Sequence, residues 1–102
     1  MITVRCTVSN WEEDDGEGDE FVVARLTDAE GVVHEFVDDI STFFDEPPEA
    51  LPAQGVIRAT ELRTWSAEGR TLTEISTETP DALVAEGSGL DTFVVERSSV
   101  AT

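Results

Sequence analysis

The side chains able to do chemistry near neutral pH are few, and the acids are many. Against 23 Asp and Glu stand six Arg, one His and one Cys, with neither Lys nor Tyr in 102 residues. Carboxylates are densest in WEEDDGEGDE, residues 11–20, where seven of ten side chains are acidic. Such a run can coordinate a hard cation or attract a cationic surface. Calcium takes about six to eight oxygens, and an EF-hand loop fixes their register with Gly sixth and Glu twelfth. With Gly18 placed sixth, Glu13, Asp15 and Glu17 fall first, third and fifth, but Ala24 falls twelfth and the register fails. Two readings remain: a solvated hairpin loop between the first two strands, and attraction of a cationic surface. Trp11 would be the apolar anchor, and Glu12, Glu13, Asp14, Asp15, Glu17, Asp19 and Glu20 the electrostatic guide.

Catalytic constellations are harder to build. One His and one Cys cannot make a thiolate zinc site or a histidine cluster. His34 stands next to Glu35 in VVHEFV, and neighbours on a strand point to opposite faces, so their adjacency makes no dyad. Cys6 alternates with Ile2, Val4 and Val8, which predicts a buried, inert thiol. GEGDEF and EGSGLD lack the spacing and the Lys of phosphate-binding loops. Glu35, Glu61 and Glu74 lie in strand-like segments, where an apolar interior would raise a carboxyl pKa and permit acid–base work. No metal or cofactor is expected.

The formal net charge of −17 repels nucleic acids and anionic membranes, so direct binding to either is not expected. A cationic protein partner is. The same acidity would also keep a protein soluble in a salty cytoplasm. A lone Cys suits a reducing, cytoplasmic compartment. MITVRCTVSN lacks a cationic start followed by an apolar block, and no apolar run approaches about 18 residues, so neither a secretory signal nor a membrane span is expected.

The elements that would position these residues read as strands. ITVRCTVS at 2–9 alternates with period two, as a half-buried strand does. EFVVARL at 20–26 and VVHEFV at 32–37 flank a turn, DAEG, and predict a hairpin. In DDISTFF, residues 38–44, Ile40, Phe43 and Phe44 change to helical spacing behind a capping Asp. Three prolines make DEPPEALPAQG a connector. GVIRATELRTW at 55–65 alternates imperfectly, which predicts a bulge, and pairs across SAEG, a turn of the same kind as DAEG, with RTLTEISTE at 70–78. PDALVAEGSGL is a loop and DTFVVER at 91–97 a sixth strand. The two hairpins share AEG, but too little else to predict a duplication.

The expected fold is a single all-β (or β-rich α+β) domain over residues 1–102. It is a six-stranded antiparallel small barrel or sandwich with one short helical turn near residues 39–44. Strands two and three are apolar on both faces, which asks for a covered outer face or a homodimer. The expected function is non-enzymatic engagement of a cationic protein partner, as by an immunity or antitoxin-type inhibitor. The alternatives are a small-molecule-binding, hydrolytic or isomerase barrel using a buried strand carboxylate, and a salt-adapted structural module.

Overall fold

The computed structural model describes residues 1–10 and 21–101. Six strands form one antiparallel sheet: β1 (Ile2–Asn10), β2 (Phe21–Thr27), β3 (Val33–Asp39), β4 (Ala53–Ala67), β5 (Arg70–Ser76) and β6 (Thr92–Glu96). Their order is β3-β2-β1-β4-β5-β6. Each half of the chain is thus a three-stranded meander, and the first strands of the two halves pair. β4 serves both. Its first half lies along β1, from Val8 opposite Ala53 to Ile2 opposite Ala59, and its second half lies along β5. The register shifts between Glu61 and Arg63, and the extra residue, Leu62, is turned out to solvent. This bulge bends the strand from one meander to the other and explains the broken alternation of GVIRATELRTW.

The sheet curls into a half-barrel around Val4, Val8, Leu26, Phe36, Ile57, Ile75 and Val95, all fully or almost fully buried. Burying these branched and aromatic side chains is the main stabilising term. Where the curl brings β3 and β6 together, Phe36 meets Phe93 edge to face at 5.6 Å between centroids. No ladder joins these two strands. The seam is plugged from the loop between β5 and β6: Leu83 and Ala85 enter the core, and the Glu86 N–H donates to the Glu35 carbonyl at 2.7 Å. The Ala29 N–H donates to the Val94 carbonyl at 2.8 Å. After β6 a 3-10 turn, Arg97–Ser99, returns the chain to β1, where Val100 bridges Val4 and the Ala101 N–H donates to the Thr3 carbonyl.

The expected helical turn is a 3-10 turn, Ile40–Thr42, capped by the Asp39 carboxylate, which accepts from the Ser41 N–H at 2.9 Å. It drops Phe43 into the core, and Phe44 packs against it. Gly55 sits beneath. A Cβ there would lie 2.8 Å from the Phe43 carbonyl oxygen and 3.0 Å from Val8 Cγ2, so a side chain has no room. Phe21, Val32 and Val33 are about half exposed.

The two AEG turns differ, contrary to the sequence expectation. Glu68 and Gly69 alone span the pair Ala67–Arg70, both with positive φ (53° and 79°), as a two-residue hairpin of this twist requires. The other turn uses residues 28–32 between Thr27 and Val33, and there only Gly31 is left-handed. Asp28 organises it, accepting from the Glu30 and Val32 N–H groups at 2.9 and 3.0 Å. In the meander topology the β2–β3 turn corresponds to the β5–β6 connection, so the two AEG segments do not occupy equivalent places.

Candidate functional site

The predicted binding residues Trp11, Glu12, Glu13, Asp14, Asp15, Glu17, Asp19 and Glu20 lie outside the described residues. The strands that bracket them are paired up to Asn10 opposite Val22, so the acidic run joins two neighbouring antiparallel strands.

The arginines show how charge is arranged elsewhere. Arg25 lies opposite Glu35 and Arg63 opposite Glu74 in the ladders, and these cross-strand pairs close at 2.8 and 3.0 Å. Arg70 reaches Glu96 at 2.7 Å, Arg97 reaches Glu61 at 2.6 Å and Arg58 reaches Asp81 at 2.5 Å. The Arg5 guanidinium donates to the Ser98 carbonyl at 2.6 Å. All six arginines are therefore engaged by groups of the chain itself. Glu30, Glu46, Glu49, Glu68, Glu78 and Glu86, all in connections, have no cationic partner among the described residues.

Glu35, Glu61 and Glu74, the strand carboxylates considered for acid–base chemistry, each bind an arginine. Their side chains are 47%, 37% and 26% exposed, so none sits in an apolar pocket. The Arg97 guanidinium, helped by the Thr64 hydroxyl, holds the Glu61 carboxyl below its usual range. Cys6 is buried, and burial pushes its thiol up to about 12, as an inert core thiol requires.

A cleft of about 480 Å³ lies where the β2–β3 turn meets the β4–β5 turn. This is the end of β2 opposite to the acidic run. Trp65, Leu72, Leu90, Phe93 and Val94 supply apolar wall, and Asp28, Glu30, Glu68 and Arg70 supply charge. Two of the four charges are already satisfied. Arg70 is held by Glu96 and donates to the Ala29 carbonyl. Asp28 takes its two turn N–H groups on one oxygen, and its other oxygen lies 2.9 Å from His34 Nε2. Burial works against the Asp28 charge. The bonds from His34, Val32 and Glu30 outweigh it and keep the carboxyl below its ordinary value. The His34 ring rests on Phe93, 4.6 Å between centroids, and so ties this turn to β6. Outside the cleft mouth, the Arg63 guanidinium lies 4.5 Å over the Trp65 ring.

The chemistry on offer is the holding of a positive charge attached to an apolar body. The Glu30 and Glu68 carboxylates are the free charges, and they stand on opposite tips. Sequence reasoning passed over the Asp28–His34 pair because it tested His34 only against its neighbour Glu35. The signal was in the hairpin register: with Leu26 opposite His34, the first loop residue comes to lie beside the histidine ring. The cleft itself gathers residues from three connections and three strands, a grouping no local pattern displays. No protein-family model, no curated protein and no solved structure matches the chain.

Proposed function

We propose that this protein is a non-enzymatic binding module for a cationic protein partner, of the kind that occludes a basic surface as immunity and antitoxin inhibitors do. One observation carries the reading: among the described residues five of the six arginines pair with carboxylates of the chain itself and Arg5 is tied to a backbone carbonyl, so the excess charge that a partner meets is negative. Such a field steers cationic partners and speeds their encounter. The acidic run with Trp11 at its head is the proposed steering element. The test is capture from source lysate at low and at high salt, beside a variant with the seven carboxylates of residues 11–20 replaced by Ser and Gln. A basic protein captured by the parent, released by salt and missed by the variant supports the reading. Capture unaffected by both salt and substitution overturns it.

A second reading, a salt-adapted module without a partner, is favoured by the placement of the unpaired acids at both ends of the strands: Glu46 and Glu49 at one, Glu30 and Glu68 at the other. It predicts a lysate capture that stays empty at low and at high salt alike.

A further inference from the structure

We propose that the cleft between the two hairpin turns is a receptacle for an arginine or lysine side chain of the cationic partner, its aliphatic stem against Trp65, Leu72 and Val94 and its charged head between Glu30 and Glu68. The proposal rests on the preceding reading that the partner is a cationic protein. It adds a second contact, at the other end of β2 from the acidic run.

The occupant follows from what the cleft leaves unsatisfied. Its volume of about 480 Å³ is in the range of small-ligand pockets, and it has room for a long side chain with its flanking backbone. Its anion-attracting group, Arg70, is neutralised by Glu96 and fixed by the Ala29 carbonyl, so an anionic guest gains nothing there. Asp28 is already bound by three groups of its own chain. Glu30 and Glu68 keep their charge without a partner, above an apolar wall. A long side chain with an apolar stem and a cationic head meets both needs at once. A second copy of this chain is disfavoured as the guest, because its net charge is −17 and all its arginines are already engaged. The backbones that carry the two carboxylates are fixed on short turns of the half-barrel, the first by Asp28 and the second by the two-residue turn geometry, so binding orders side chains and little backbone.

The test uses acetyl-Gly-Arg-Gly-amide as the probe, with citrulline in place of arginine as the neutral isostere. It is run on the full chain carrying Trp11→Phe, so that Trp65 is the sole indole. The expected result at low salt is a saturable change in Trp65 fluorescence with amide shifts centred on Leu72 and Val94. Binding should be about tenfold weaker for citrulline, and about tenfold weaker for the arginine peptide after Glu30→Gln with Glu68→Gln. It should persist when the acidic run is neutralised. Equal response to arginine and citrulline, or a silent Trp65, overturns the receptacle. Linear, unsaturable shifts confined to residues 45–49 and 78–86 also overturn it while leaving the diffuse-charge reading of the partner intact. Saturable, charge-dependent filling of the cleft alongside an empty lysate capture supports the receptacle and removes the protein-partner reading instead.

Discussion

Glu35, Glu61, Glu74 and Glu96 lie in strands, and each holds an arginine. Glu30, Glu46, Glu49, Glu68, Glu78 and Glu86 lie in connections, and none does. The difference is geometric. For Glu35 and Glu74 the ladder sets the arginine directly opposite, about 5 Å away on the same face, Glu96 reaches diagonally to Arg70 on the next strand, and Glu61 meets Arg97 from the 3-10 turn after β6. A connection offers no such neighbour. Each exposed pair contributes at most about 1 kcal/mol, yet together they neutralise these four strand glutamates, while Asp38 and Asp39 at the end of β3 are bound by the chain's own N–H and hydroxyl groups. The connections then carry the negative field almost unopposed. Charge in the strands belongs to the fold, and charge in the connections is available for binding. Two connection acids depart from this pattern: Asp81 holds Arg58, and Asp28 holds its own turn and His34.

Asp28 gives the strongest way to break the contrast, because it is a connection acid that behaves as a structural one. Asp28→Ala removes the acceptor of two N–H groups and of His34 and should cost about 2 kcal/mol in urea unfolding. Its folded-state pKa lies below the ordinary value of 3.8, so its contribution is complete above that value and is lost as the pH falls through the lower folded one. The variant should therefore show less acid sensitivity than the parent in a titration of melting temperature. Next comes Glu74→Gln, which cuts the Arg63 pair in a ladder and should cost about 0.7 kcal/mol, less at high salt. Glu68→Asn should do the reverse, gaining about 0.5 kcal/mol because Asn tolerates the left-handed turn position, while it weakens arginine-peptide binding. The smallest effect is expected from Glu46→Gln, Glu49→Gln and Glu78→Gln combined. Stability should change by less than about 0.3 kcal/mol, and the rise of melting temperature with salt should flatten. A large loss in that triple variant would erase the distinction between the two kinds of charge.

The strands were legible because each is short, β-branched and bounded by turn residues, and the broken alternation of β4 announced its bulge. The cap of the 3-10 turn was legible for the same reason, a local one: Asp39 binds Ser41, two residues on. Pairing of β1 with β4 was not legible, since it joins residues about 50 apart and leaves no local trace. Nor was the role of Leu83 and Ala85, which look like loop residues and fill the seam between β3 and β6. The acidic run was the loudest signal in the sequence and directed attention to one end of the strands. At the other end, the cleft is assembled from Asp28, Glu30, Trp65, Glu68, Leu90 and Phe93, which are individually unremarkable and become a site only when three connections meet the ends of β4, β5 and β6. The unlike geometry of the two AEG turns was hidden too, because it depends on how many residues separate the last paired positions rather than on the tripeptide.

Cys6 has a practical consequence. It is the chain's single thiol, and it sits in a strand near the middle of the sheet, opposite Gly55. A thiol reagent added to the native protein meets a sulfur that is shielded and, with its proton held up to about 12, almost never a thiolate at neutral pH. Modification must wait until β1 leaves its neighbours. The ratio of the native labelling rate to that of the unfolded chain then reports the free energy of that opening, with the native protein kept in plain buffer. Measured with and without a bound guest in the distant cleft, the same ratio would register whether filling that cleft tightens the whole barrel or only its two turns.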